Sequence, residues 1–133
     1  MRIEFFLPMR PPTKTHQEKS IAVVNGKPVV YEDAELLAVR EKFMAHIAPH
    51  KPEMPLDGPV RLLTKWCFPV TGKHKNGEYK DSRPDTDNLI KLFKDCLKQS
   101  GFFTKDDAQV ASEITEKFWA NIPGIYVVIE ELT

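Results

Sequence analysis

The chain has 133 residues, enough for one domain with a core of its own and too few for two. Its 41% hydrophobic and 29% charged residues fit a soluble globular protein; the apolar stretch of Met1–Pro8 is short and broken by Glu4, which excludes a membrane span or secretory leader there and makes a cytoplasmic protein the expectation. Formal net charge is zero, so the chain is not an overtly basic nucleic-acid binder, and any polyanion has to be met by local patches.

Arg2–Leu7, with Ile3, Phe5, Phe6 and Leu7, predicts an opening strand that Pro8, Pro11 and Pro12 bring to an end. Pro11–Gln17 is a polar loop carrying Lys14, open equally to DNA contact and to a linker role. In Ile21–Tyr31 the pair Asn25-Gly26 between apolar residues predicts a small exposed hairpin, and Pro28 restricts its second arm to an edge. From Glu32 to Ile47, Leu36, Val39, Phe43 and Ile47 step by three and four, the pattern of an amphipathic helix lying on a sheet, with His46 and His50 at its end in capping or solvated roles.

Pro49–Pro59 reads as a proline-punctuated connector and Val60–Val70 as a strand given mass by Leu62, Leu63, Trp66 and Phe68. Thr71–Ser82, containing Lys73, His74 and Lys75, is expected to be a flexible basic loop, either reaching phosphates or a plain surface excursion. Basic residues Arg61, Lys65, Lys73, Lys75, Lys80 and Arg83 gather ahead of the next segment, while Glu113, Glu116, Glu130 and Glu131 lie toward the C-terminus. Cys67 and Cys96 sit in apolar patterns without metal-knuckle spacing and read as reduced core residues.

The segment Arg83-Pro84-Asp85-Thr86-Asp87-Asn88-Leu89-Ile90-Lys91 concentrates carboxylates and a lysine where a helix should begin. Pro84 biases Arg83 away from helix, Asp85 or Thr86 can cap, and Leu89, Ile90, Leu92, Phe93, Cys96 and Leu97 recur at helical spacing, so the helix runs from near Asp87 to before Gly101. Asp87, Lys91 and Asp95 then share one face. Asp106 and Asp107 follow a turn and can bring a third carboxylate back to the helix start. Clustered like charges call for a cation between them, which points to a divalent metal. The same residues also suit dipole complementation, a surface ion pair or simple solvation. A calcium EF-hand fits poorly, because counting from Asp85 its glycine position falls on Ile90 and its final glutamate position on Cys96. Beyond the motif, Ala108–Ala120 and Gly124–Leu132 read as two strands joined at Asn121-Ile122-Pro123-Gly124.

Asp85-x-Asp87-Asn88-x-x-Lys91, then Phe93-x-Asp95-x-Leu97, Gly101-Phe102 and Asp106-Asp107-Ala108-Gln109-Val110, resembles in this order the RusA-type Holliday junction resolvases, the crossover junction endodeoxyribonucleases. The resemblance is dense from Arg83 to Val110 and looser elsewhere. It implies a small homodimeric, metal-dependent endonuclease, often phage- or prophage-borne, that cuts four-way DNA junctions in recombination and repair. It further implies Asp85, Asp87 and Asp107 as ligands of Mg²⁺ or Mn²⁺ and Lys91 as the essential lysine. An extra residue between Phe103 and Asp106 leaves Asp106 as a substitute for Asp107. Lys14, Lys73, Lys75 and Arg83 are the candidate DNA contacts, and Asp95 is expected to be structural or to support the ligands. The expected architecture is α+β, a mixed β-sheet with two main helices packed on it, in a single domain spanning 1–133. The rival expectation is a junction-binding or phage-associated protein that kept the fold and lost the chemistry.

Overall fold

A computed structural model of the chain describes residues 1–14, 19–32 and 34–133. The architecture is α+β. Its elements, in chain order, are β1 (Arg2–Leu7), β2 (Lys19–Val24), β3 (Lys27–Glu32), α1 (Ala34–Ile47), β4 (Val60–Pro69), α2 (Thr86–Gln99), β5 (Val110–Ala120) and β6 (Gly124–Glu131). One-turn 3-10 helices at Ala48–His50 and Asp107–Gln109 succeed α1 and precede β5.

The main sheet has the order β1-β6-β4-β5, with β4 and β5 parallel and the other pairs antiparallel. A parallel pair needs a crossover rather than a tight turn, and the segment containing α2 supplies it. β2 and β3 form a separate two-stranded ribbon about Asn25-Gly26, where both residues have positive φ (51° and 75°), the primed-turn geometry that Asn-Gly favours.

The core lies between one face of this sheet and the two helices. Along β4, Val60, Leu62, Thr64, Trp66 and Phe68 are buried on alternate positions, as a strand packed on one side requires. From α2, Leu89, Ile90, Leu92, Phe93, Cys96 and Leu97 are buried; from α1, Leu36, Phe43 and Ile47. Phe43, Trp66 and Phe93 meet edge to face with centroids 5.4–5.9 Å apart, joining α1, β4 and α2 at one point. Thr64 is fully buried and accepts a 2.9 Å hydrogen bond from Trp66 Nε1, so neither polar group is orphaned. His46 Nδ1 lies 2.8 Å from the Lys42 carbonyl, while His50 stacks on Phe5 with centroids 4.5 Å apart, an aromatic contact rather than a solvated end.

The end of α2 turns the chain back on itself. Gly101 N–H bonds the Lys98 carbonyl (3.0 Å) and Phe102 N–H the Leu97 carbonyl (3.1 Å), the paired bonds of a Schellman stop, and Gly101 takes the φ of +86° this requires. Phe102 and Phe103 are then buried, drawing the chain back along the helix. Cys96 is buried in the core; Cys67 is only half-buried, on the opposite sheet face, and burial still raises its thiol pKa. Among the described residues no helix is long and apolar enough to cross a membrane.

Candidate active site

The stretch before α2 is held down, contrary to the flexible loop expected for Thr71–Ser82. Residues 77–80 pair with β5: Gly77 N–H bonds the Trp119 carbonyl (2.7 Å), Trp119 N–H the Glu78 carbonyl (2.8 Å) and Lys80 N–H the Lys117 carbonyl (2.9 Å). His74 stacks on Trp119 at 4.3 Å and 11°, and Asn76 Oδ1 accepts from Asn121 N–H at 2.8 Å. Asn76 and Asn121 are 45 residues apart, beyond the reach of any local pattern.

At the start of α2, Asp85 is the N-cap residue, extended at φ −71° and ψ 144°, and its carbonyl accepts the Leu89 N–H at 3.2 Å. Its carboxylate makes no capping hydrogen bond. Asp85, Asp87 and Lys91 are all exposed, and none is in an ion pair with another described residue. The simple Asp87–Lys91 surface pair is therefore not formed. Asn88 beside them is half-buried.

The returning chain brings Asp106 and Asp107 beside Lys98 and Asp95, in the C-terminal half of α2 and not at its start. Asp106 caps the 3-10 turn, accepting from Ala108 N–H (3.4 Å), while Gln109 Oε1 accepts from Asp106 N–H (3.3 Å) in a reciprocal box. Gln109 Nε2 in turn donates to the Leu56 and Gly58 carbonyls (3.0 and 2.9 Å), tying the turn to the connector before β4. Lys98 Nζ lies 3.3 Å from Asp106 Oδ1. Asp107 lies against Asp106 and Asp95; its hydrogen bond with Asp106, followed by burial and the charges of Asp106 and Asp95, raises its pKa. Asp106 is held down to about 2 by that same hydrogen bond first and by Lys98 second.

Chain geometry accounts for this placement. Asp95 lies eight residues past Asp87, about 12 Å along a helix, and β5 passes back antiparallel to α2. Lys94 pairs with Glu113 (3.0 Å), and Lys117, four residues further along β5, reaches the Pro84 carbonyl (2.7 Å). Carboxylates at 106 and 107 therefore fall at the level of Asp95. Among the described residues no three His, Cys, Asp or Glu side chains are grouped to hold a metal ion. The donors nonetheless suit a hard cation in kind: Asp85 and Asp87 are exposed carboxylates with no competing partner among the described residues, and Mg²⁺ is commonly held by one or two carboxylates together with waters and substrate phosphate.

The candidate DNA contacts divide. Lys73, Lys75 and Arg83 are exposed on the loop leading to α2. Lys14 is exposed but paired with Glu35 at 3.1 Å, and Thr15–Gln17 of the same expected loop lie outside the described residues. Arg61 and Lys65 alternate onto the sheet face away from the helices, where Arg61 pairs with Glu130 (3.2 Å) and Lys65 sits 5.9 Å from the Tyr126 ring centroid. A shallow cavity on that face, lined by Arg61, Leu63, Lys65, Tyr126 and Glu130, contains none of the expected site residues. Lys80 is buried. The basic cluster read along the sequence is thus not one surface.

Comparison with known proteins adds a family. A family model described as endodeoxyribonuclease RusA matches residues 8–130. An uncharacterized protein, YqaN, of Bacillus subtilis (strain 168) is 27% identical over 123 residues, covering 84% of this chain and 85% of its own. A crossover junction endodeoxyribonuclease rusA of Lactococcus phage r1t is 28% identical over 112 residues, covering 83% of each chain.

Proposed function

Because this chain belongs to the RusA endodeoxyribonuclease family, we propose that it resolves four-way DNA junctions by metal-assisted phosphodiester hydrolysis, acting as a homodimer whose two sites meet two strands of the branch. The observation that carries the chemistry is the uncommitted acidic mouth of α2, where Asp85 leaves its helix uncapped and Asp87 and Lys91 stand exposed without an ion-pair partner among the described residues. Asp85 and Asp87 would hold Mg²⁺ or Mn²⁺ together with waters and the substrate phosphate; Asp107, which lies beside Asp95, is the third carboxylate of the proposed set and would join them only by moving toward the helix start. When bound, that ion supplies polarisation of the phosphate and a water acidified enough to act as nucleophile. Lys91, one turn past Asp87, presents a fixed ammonium to the non-bridging oxygens without taking a coordination position. Asn88, half-buried beside Asp87, would orient a ligand or a water. Lys73, Lys75 and Arg83 meet the backbone phosphates approaching that mouth, where the N-terminal end of the helix also favours anions.

The test is cleavage of a synthetic four-way junction by the purified protein with Mg²⁺ or Mn²⁺. Symmetric nicks are expected. Asp87→Asn and Lys91→Ala are expected to keep junction binding while losing on the order of 10² to 10³ in rate. Equal cutting of linear duplex would demote the protein to a less selective nuclease, and no cutting with any divalent cation would defeat the reading. A second reading, a junction binder without chemistry, draws on the separation of Asp107 from Asp85 and Asp87. Junction binding indifferent to EDTA, with no turnover, would favour it.

A further inference from the structure

Two lysines lie beneath the start of α2 in positions that neither core packing nor phosphate contact explains. Lys80 is only 9% exposed; its ammonium donates to Ser82 Oγ (2.6 Å) and to the Arg83 carbonyl (2.6 Å), and lies 4.5 Å from the Trp119 ring centroid and 5.2 Å from that of Phe68. Lys117, on β5, donates to the Ser82 and Pro84 carbonyls. Placing two like charges side by side, one of them nearly removed from water, raises the energy of the fold, and apolar residues would seal this end of the core more cheaply. The lysines collect backbone oxygens: the carbonyls of Ser82, Arg83 and Pro84, three in succession, are drawn back onto the two ammonium groups. That fixes the path of the chain into Asp85.

Asp85 itself shows what this releases. An N-cap aspartate ordinarily commits its carboxylate to the N–H of the second or third helical residue, which anchors the helix start. Here that bond is absent although Asp85 occupies the N-cap position with extended backbone. We propose that Lys80 and Lys117 are positioning residues: by gripping the carbonyls of residues 82–84 they anchor the helix start in place of a side-chain cap, so that Asp85, and Asp87 two residues on, reach the reaction with their carboxylates free. For its chemistry this deepens the nuclease reading and rests on it; for its geometry it stands alone.

The test uses the whole protein and the variants Lys117→Met, Lys80→Met and Lys117→Arg. Amide hydrogen exchange at Leu89, whose N–H bonds the Asp85 carbonyl, is expected to quicken about tenfold in Lys117→Met as the first turn loosens. The Mn²⁺ concentration that half-broadens the amide signals of residues 85–88 is expected to rise about tenfold, as for other groups that orient ligands, with metal-free junction affinity within about twofold of wild type. Lys117→Arg, which can still grip two carbonyls, is expected to recover most of both effects. Unchanged exchange and unchanged Mn²⁺ response in Lys117→Met and Lys80→Met would overturn the proposal. Faster exchange with an unchanged Mn²⁺ response would make the lysines merely structural and overturn it equally. Should Lys117→Met not fold, Lys80→Met and Lys117→Arg decide on the same two readings. Wild-type protein that neither takes up Mn²⁺ nor cuts would overturn the nuclease reading and the delivery of Asp85 to it, while the exchange comparison would still decide the clamp.

Discussion

Asp106 and Asp107 are neighbours in the chain with opposite electrostatic fates. Asp106 is lowered to about 2, first by its hydrogen bond with Asp107 and then by Lys98, whereas Asp107 is raised, first by that hydrogen bond and then by burial and the nearby charges. A depressed carboxyl contributes stability above its unfolded value, near 4, and loses it as pH falls toward the folded one. A raised carboxyl does the reverse: its contribution is complete below the unfolded value and is lost as pH climbs through the folded one. Lys98→Met is therefore expected to destabilise the protein at pH 6 and to match wild type increasingly as pH falls toward about 2, the value of Asp106, in urea unfolding series. Asp95→Asn, which removes one carboxylate beside Asp107, is expected to lower the Asp107 titration midpoint in carboxyl NMR; an unmoved midpoint would mean the two groups do not meet in solution. Spacing alone left Asp106 and Asp107 interchangeable. What separates them is Lys98 and the Gln109 box on one and Asp95 on the other, which are three-dimensional facts.

Among the glycines, the one that opens β6 is the least forgiving. A Cβ at Gly124 would lie 2.0 Å from Phe6 Cζ and 2.7 Å from the Leu7 carbonyl oxygen. The Phe6 ring, on an exposed position of β1, can swing aside, but the carbonyl belongs to paired backbone and cannot. Gly124→Ala is expected to cost about 1–3 kcal/mol in urea unfolding, as overpacked sites do, with the β1–β6 pairing loosened first in hydrogen exchange. The strands and helices themselves were legible, because each carries a local periodicity: β1 runs from Arg2 to Leu7 as read, Asn25-Gly26 turns the hairpin, and α2 follows its apolar stripe from Thr86 to Gln99. Where reading fell short, contacts distant in sequence decided. β5 starts at Val110 rather than Ala108 because residues 107–109 coil into a 3-10 turn, for which Asp106-x-x-Gln109 was an available signal. The loop from Thr71 to Ser82 gave no such signal, since Trp119 and Asn121 hold it from the far side of α2.

At the scale of the whole molecule, zero net charge means that DNA cannot be drawn in by a diffuse field and has to be met by particular cations. β-strand alternation sends Arg61 and Lys65 to the face away from the helices, and Lys80 is consumed in the interior. What remains exposed on the loop leading into α2 is Lys73, Lys75 and Arg83. Lys14 is differently placed, since it must leave Glu35 to reach a phosphate. Junction affinity should accordingly fall with salt in proportion to a small number of released counterions. Each of Lys73→Ala, Lys75→Ala and Arg83→Ala is expected to reduce the slope of log affinity against log salt by about one and to weaken binding uniformly across sequences, while Lys14→Ala, relieved of breaking an ion pair, changes it less. Titrations of a metal-free four-way junction at several salt concentrations measure this directly. A slope untouched by all three substitutions on the loop before α2 would move the DNA elsewhere, the face of Arg61 and Lys65 being the next to probe, and would separate the bound phosphates from Asp85 and Asp87 by the thickness of the sheet.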